Sequence, residues 1–208
     1  MSDRIILEAL LCIVMGYCIG CINPAYIISR RRGFDIRKEG SGNAGATNAA
    51  LTMGRNIGVM IAAFDVAKAC CAIWLAEHFL SDFALATEVA GTCCVLGHMF
   101  PFYMRFKGGK GLACLAGIIL SFHPLALFVL FFAELVPAIL IGYGCVFPIL
   151  TAILVPILYA AITGHLAGAA VYAIASVAMI CKHRINIRRI LAGEELRMNL
   201  LWKGREDK

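Results

Sequence analysis

Apolar segments recur along the whole chain, at residues 5–29, 57–80, 83–100, 111–122, 124–141, 148–163 and 165–181, with polar sequence confined to short stretches between them. A helix needs about 20 apolar residues to cross a bilayer, so several of these segments are candidate spans. The expectation is an all-α integral membrane protein. It is a polytopic bundle of about seven transmembrane helices forming one membrane-embedded domain over residues 1–208, with no room for a substantial soluble domain. A hydrophobic content of 61% and a mean hydropathy of +0.83 agree. The segment at 111–122 is short for a full crossing, and five spans is the alternative count. The first segment is too long for the core of a secretory signal, and its basic flank Arg30, Arg31 and Arg32 follows it, so it reads as a retained span.

The net charge of +6 is gathered in three clusters: Arg30, Arg31, Arg32, Arg37, Lys38 and Arg55; then Arg105, Lys107 and Lys110; then residues 182–208. The positive-inside rule assigns all three to the cytoplasmic side, which requires an even number of crossings between them. Two segments separate the first pair of clusters and four separate the second. The N-terminus is then outside and the C-terminus inside. No soluble face is left for these charges to line, so nucleic acid is not an expected partner. The ten cysteines lie in or beside apolar segments, where cysteine behaves as a small hydrophobe. Cys18 and Cys21 form one C-x-x-C without a second pair, so no metal is expected.

Asp65, Lys68 and Glu134 fall within apolar segments, where a lone charge costs about 2.5 to 3.5 kcal/mol. Asp65 and Lys68 are three apart and can pair on a helix, as a structural ion pair or as a polar wall of a site. Glu134 reads as a packing or cavity residue.

The polar stretches are more distinctive. The first, "EGSGNAGATN", contains Gly40, Gly42 and Gly45 at the G-x-G-x-x-G spacing of a dinucleotide-binding turn. A charged stretch precedes it where that fold needs a buried strand, so the glycines read instead as a backbone nest for an anion, with Ser41, Asn43, Thr47 and Asn48 as neutral donors. The second, "GHMFPFYMRFKGGKG", sets Lys107 and Lys110 around Gly108 and Gly109 where a helix begins, and helix N-termini attract phosphate. It lacks the spacing and the Ser or Thr of a Walker loop. The third, "KHRINIRRILAGEEL", carries His183, Arg184, Asn186 and Glu195; taken alone it is a basic helix lying on anionic lipid.

Together these stretches resemble the three motifs of the bacterial acyl-phosphate:glycerol-3-phosphate acyltransferases of the PlsY type, and the resemblance extends over nearly the whole chain. It implies a small enzyme of the bacterial inner membrane, with its active-site loops on the cytoplasmic side. The implied substrates are acyl phosphate and glycerol 3-phosphate, the implied product is lysophosphatidic acid, and no cofactor or obligate protein partner is expected. Ser41, His98, Lys107, His183 and Asn186 are the candidate catalytic residues. Gly40, Gly42, Asn43, Gly45, Thr47, Asn48, Arg55, Lys68, Gly108, Gly109, Lys110, Gly111, Arg184 and Glu195 are the candidate substrate-binding residues. The chain departs from the family pattern at Leu51, where members commonly carry Arg, and at residues 142–146, "GYGCV", where they often read Arg-Tyr-Val-Ser. If residues 47–55 begin one helix, Arg55 lies a turn from Leu51 and can reach toward the anion that an arginine at 51 would hold.

The chemistry is consistent with the resemblance. Acyl phosphate is a mixed anhydride with a good leaving group, so no acyl-enzyme is needed, and the sequence has no nucleophile elbow to form one. Positioning and charge stabilisation suffice. The base for the hydroxyl proton is His183, His98 or a substrate phosphate. An acyl-CoA enzyme with His-x-x-x-x-Asp is disfavoured, because none of the five histidines has Asp at that spacing. The reading from another class is a small transporter or channel for an anionic solute, with polar loops at broken helices.

Overall fold

The computed structural model describes residues 2–195, and among them the chain forms α-helices and two single 3-10 turns, with no strand. In order these are α1 (Ser2–Cys21), α2 (Pro24–Arg31), a 3-10 turn at Ile36–Lys38, α3 (Ala46–Met53), α4 (Arg55–Phe79) and α5 (Ala86–Met99). A second 3-10 turn at Phe102–Met104 follows, then α6 (Leu112–Phe122), α7 (Pro124–Ile141), α8 (Val146–Thr163), α9 (Leu166–Lys182) and α10 (Arg184–Leu191). The basic tail beyond residue 195 lies outside the described residues.

Each expected apolar segment holds a helix, but the count of seven full spans does not carry over. Among the described residues four stretches are long and apolar enough to cross a membrane: Asp3–Arg31, Arg55–Phe79, Pro124–Ile141 and Val146–Thr163. The pair α9 and α10, bent by 48° between them, makes a fifth. With 14 and 11 residues, α5 and α6 fall short; at 1.5 Å per residue they reach about 21 and 16 Å of the ~30 Å hydrocarbon layer. The cause is local: the proline and glycines of the second motif take residues 100–111 out of helix and shorten both neighbours. The first span is also jointed. Pro24 has no N–H to continue α1, and the Asn23 side chain restarts the helix by accepting from the Tyr26 N–H at 2.9 Å.

Packing against α5 explains the glycines of α1. Gly16 and Gly20 stand four apart, and a Cβ on either would collide with the carbonyl of Ala90 or Cys94; Gly97 meets the Tyr17 carbonyl in the same way. In lipid no hydrophobic force drives helices together, so such backbone contact supplies the attraction through van der Waals packing. A buried core of Ala69, Cys94, Leu115, Ile118, Val155, Ala175 and Met179 joins α4, α5, α6, α8 and α9. Val59, Phe128, Leu140, Ile157 and Ile174 are exposed outside it, as lipid-facing side chains are.

Candidate active site

The first motif is a loop pinned by its own residues. Asp35 accepts from the Arg37 N–H at 3.0 Å and pairs with its guanidinium at 2.9 and 2.7 Å, which holds the Asp35 carboxyl down at about 2. Gly40 and Gly42 follow at φ 55° and 72°, a region that favours glycine. Asn48 reaches back from α3: its Oδ1 accepts from the Ser41 N–H at 2.8 Å, and its Nδ2 donates to the carbonyls of Ile36 and Glu39, each at 3.0 Å. The structure therefore corrects the expectation for Asn48, which is wholly buried and shapes the loop instead of facing outward. Ser41, Gly42 and Thr47 stand exposed, Asn43 is half-buried, and Gly45 opens α3 with no side-chain cap. The first N–H groups of α3 are thus left for an anion.

A second correction concerns Leu51 and Arg55. Residues 47–55 are not one helix, because Gly54, at φ 107°, ends α3 and begins α4. At Gly58 a Cβ would strike Ala50 and the Ala46 carbonyl, so α3 folds back along α4. Leu51 and Arg55 consequently belong to different helices, and both are exposed.

The second motif wraps around one imidazole. Arg105 and Phe106, at φ 54° and 57°, turn the chain back after the Phe102–Met104 turn. The N–H groups of Gly108 and Gly109 then donate to the carbonyls of Met99 and His98, each at 3.1 Å, satisfying the open end of α5. A Cβ at 108 would meet the His98 carbonyl, and one at 109 would meet His98 Nε2. Gly111, at φ 95°, starts α6. Lys107 is exposed, whereas Lys110 is half-buried. Burial lowers the Lys110 pKa, against an opposing pull from Glu195.

His98 is itself buried, with Nδ1 3.0 Å from Lys68 Nζ and 3.3 Å from Asp65 Oδ1. Lys68 Nζ also lies 2.8 Å from Asp65 Oδ1 and donates to the carbonyls of Gly20 and Ile22 at 3.0 and 2.8 Å. The ammonium is thus ringed by protein, and Lys68 makes no wall of an open site, contrary to its place among the expected substrate ligands. Ligand atoms of Asp65, His98 and Cys114 lie within 4.8 Å of one another, a spacing that suits a metal. The Lys68 ammonium already supplies the cation there.

In the third motif His183 sits at the bend between α9 and α10, 1% exposed, with Nδ1 2.9 Å from the Met179 carbonyl. A carbonyl only accepts, so the neutral ring carries its proton on Nδ1 and its lone pair on Nε2. Asn186 accepts from Lys110 Nζ at 2.7 Å and donates to Glu195 Oε1 at 2.8 Å. Arg184 is exposed.

Two links gather the motifs. Arg37, over the Tyr26 ring at 4.8 Å, donates to the Met104 carbonyl at 2.7 Å, tying the first to the second; Lys110 and Asn186 tie the second to the third. Asn23 adds a bond to the Ala44 carbonyl at 3.0 Å, and the Tyr103 hydroxyl one to the Cys21 carbonyl at 2.8 Å. Sequence reasoning missed Asn23, Arg37 and Tyr103; the Asn-Pro step was the available signal for the first, as a cap followed by proline at N1.

Membrane-length helices with glycine-rich, basic and amide-bearing loops drawn together at one end define an integral membrane protein with a polar site at one face. The family model described as glycerol-3-phosphate acyltransferase matches residues 10–193. The chain is 34% identical over 200 residues to a glycerol-3-phosphate acyltransferase of Paraburkholderia phymatum, covering 92% of this chain and 93% of the relative. It is 36% identical over 193 residues to one from Rhizobium meliloti, with the same coverage of 92% and 93%. Among solved structures it resembles PlsY (YgiH), an integral membrane glycerol 3-phosphate acyltransferase, in its glycerol 3-phosphate form, with TM-score 0.84, 29% identity and coverage of 93% and 97% of the two chains. The lysophosphatidic acid form gives a TM-score of 0.82. The chain belongs to the glycerol-3-phosphate acyltransferase family, and the transport reading is set aside.

Proposed function

We propose that the protein transfers an acyl group from acyl phosphate to the 1-hydroxyl of glycerol 3-phosphate, releasing lysophosphatidic acid and phosphate. It does so in the bacterial inner membrane, with its loops on the cytoplasmic side. The observation that carries this reading is the pair of links, Arg37 to Met104 and Lys110 to Asn186, that join three loops suited to anions. Solved relatives named for glycerol 3-phosphate and lysophosphatidic acid forms support the acceptor and the product.

Ser41, Thr47 and the N–H groups of the first loop, with Lys107, hold the phosphates and the oxyanion. The acceptor hydroxyl oxygen attacks the acyl carbonyl carbon, and the bond from that carbon to the phosphate oxygen breaks with its electron pair leaving on phosphate. Of the two motif histidines, His183 keeps Nε2 for the hydroxyl proton, whereas His98 is held at Nδ1 and backed by Gly109 at Nε2. The test is an assay of purified protein with radiolabelled glycerol 3-phosphate and either acyl phosphate or acyl-CoA. Product from acyl phosphate alone is expected; equal or faster turnover with acyl-CoA overturns the donor.

A further inference from the structure

The acyl-transfer chemistry leaves a buried charged group beside the site unused. Asp65 is 2% exposed, in the middle of an apolar helix, and belongs to none of the three loops. A charge in such a place is expensive, and an ion pair can often be replaced by packed apolar residues without loss of stability. Glue alone is therefore a weak account of it.

We propose that Asp65 is a positioning residue for the Lys107–Lys110 loop, acting through Lys68 and His98. The inference rests on the reading of that loop as the phosphate-binding part of the site. Lys68 has three N–H donors. Two are committed to Gly20 and Ile22 at the end of α1, and its remaining side faces Asp65 Oδ1 and His98 Nδ1 together. Asp65 supplies the counter-charge that keeps the ammonium there and lies against the same ring nitrogen at 3.3 Å. The ring is thereby fixed along one edge by two groups of α4, one of them anchored to the end of α1. Its other edge, Nε2, fills the space where a side chain at 109 would stand, and its own carbonyl accepts the Gly109 N–H at 3.1 Å. His98 is a spacer of fixed length between a buried charge pair and two glycines flanked by lysines. Any displacement of the ring on the Asp65 side is passed to Gly109 on the other.

Asp65→Asn removes the counter-charge. The expected result is a KM for glycerol 3-phosphate raised at least about tenfold with kcat within about threefold, together with faster tryptic cleavage at Arg105, Lys107 or Lys110 in detergent micelles. Because Asp65→Asn alone can impair folding, the double variant Asp65→Leu/Lys68→Met removes both charges at once; it is expected to melt near the wild type yet keep the raised KM and the exposed loop. Glu88→Gln, in a buried cluster at the far end of α5, controls for general destabilisation and is expected to lower the melting temperature without moving KM or cleavage. Wild-type KM and cleavage in the double variant overturn the proposal, as does a KM increase in Glu88→Gln equal to that of Asp65→Asn. Should the wild type fail to use glycerol 3-phosphate while the Asp65 variants still expose the loop to trypsin, the acyl-transfer reading falls and the positioning role stands.

Discussion

The two ends of the helix bundle both hold polar clusters, and they differ in what is left over. At the end away from the motifs, the buried Glu88 carboxylate accepts from the Tyr159 hydroxyl and from Thr87 Oγ1 at 2.8 Å, and lies 3.0 Å from His165 Nδ1. Arg4 bridges Glu8 at 3.2 Å and Asp82 at 2.8 Å, and Glu8 also accepts the Phe83 N–H at 3.1 Å. These groups join α1, α5, α8 and α9, and the carboxylates at their centre, Glu8 and Glu88, are buried with their bonds made inside the protein. At the motif end Ser41, Thr47, Arg55 and Lys107 are exposed, among glycines that bring backbone N–H groups to the surface. A polar cluster with its bonds made holds helices together, whereas one with donors to spare awaits an anion.

The comparison breaks most visibly at His183. His183→Ala is expected to lower kcat by about 10²- to 10⁴-fold, the usual worth of a general base; a loss under about tenfold at saturating substrates places the base elsewhere. Lys107→Ala removes a charge-assisted contact of about 1.5 to 3 kcal/mol, so kcat/KM for glycerol 3-phosphate should fall roughly tenfold to a hundredfold. A change below about twofold would make Lys107 an ordinary interfacial lysine. Tyr159→Phe tests the other end. It should cost about 1 to 3 kcal/mol of stability, seen as a drop of several degrees in Tm, with unaltered KM; a shift in KM would erase the distinction between the ends.

The smallest effect concerns pH. Burial depresses the Lys110 pKa, so Lys110 sheds its proton at a lower pH than an ordinary lysine, and its charge is present below that point and lost as pH rises through it. KM for glycerol 3-phosphate should therefore climb a few-fold on the alkaline side before the ordinary lysine range is reached. Lys110→Arg, which stays charged, should flatten that climb; an identical profile in both proteins would remove Lys110 from phosphate binding.

Sequence carried the architecture unevenly, for physical reasons. Long apolar runs reveal helices because lipid demands them, so α4, α7 and α8 were legible almost to their ends. The short α6 was legible as well, since the expected segment 111–122 holds Leu112–Phe122, whereas the start of α5 was not, because the apolar residues from Phe83 precede a helix that begins only at Ala86. Gly54 after Met53 is a helix stop, so the condition that would place Leu51 and Arg55 on one helix is not met. The motifs announced which residues matter, yet not how each is used. Asn48 and Thr47 are neighbours of similar chemistry, and only the fold turns one inward to the loop backbone and the other outward. Likewise the spacing of Asp65 and Lys68 predicted their pairing, whereas His98, thirty residues from Lys68, entered through tertiary structure alone.

The glycine contact between α1 and α5 also sets an order of events during synthesis. Gly16 and Gly20 have their partners at Ala90 and Cys94, more than 70 residues further along the chain. At about 5 to 20 residues per second, α1 waits roughly 4 to 15 seconds in the bilayer before α5 emerges. The first motif is translated within that interval, but the Met104 carbonyl that secures Arg37 comes after α5. A nascent chain halted before α5 thus has an inserted first helix and a first loop not yet bound to the second. A ribosome-arrested series carrying a cysteine pair placed across this α1–α5 contact and probed with a short thiol crosslinker would time the moment at which the site begins to exist.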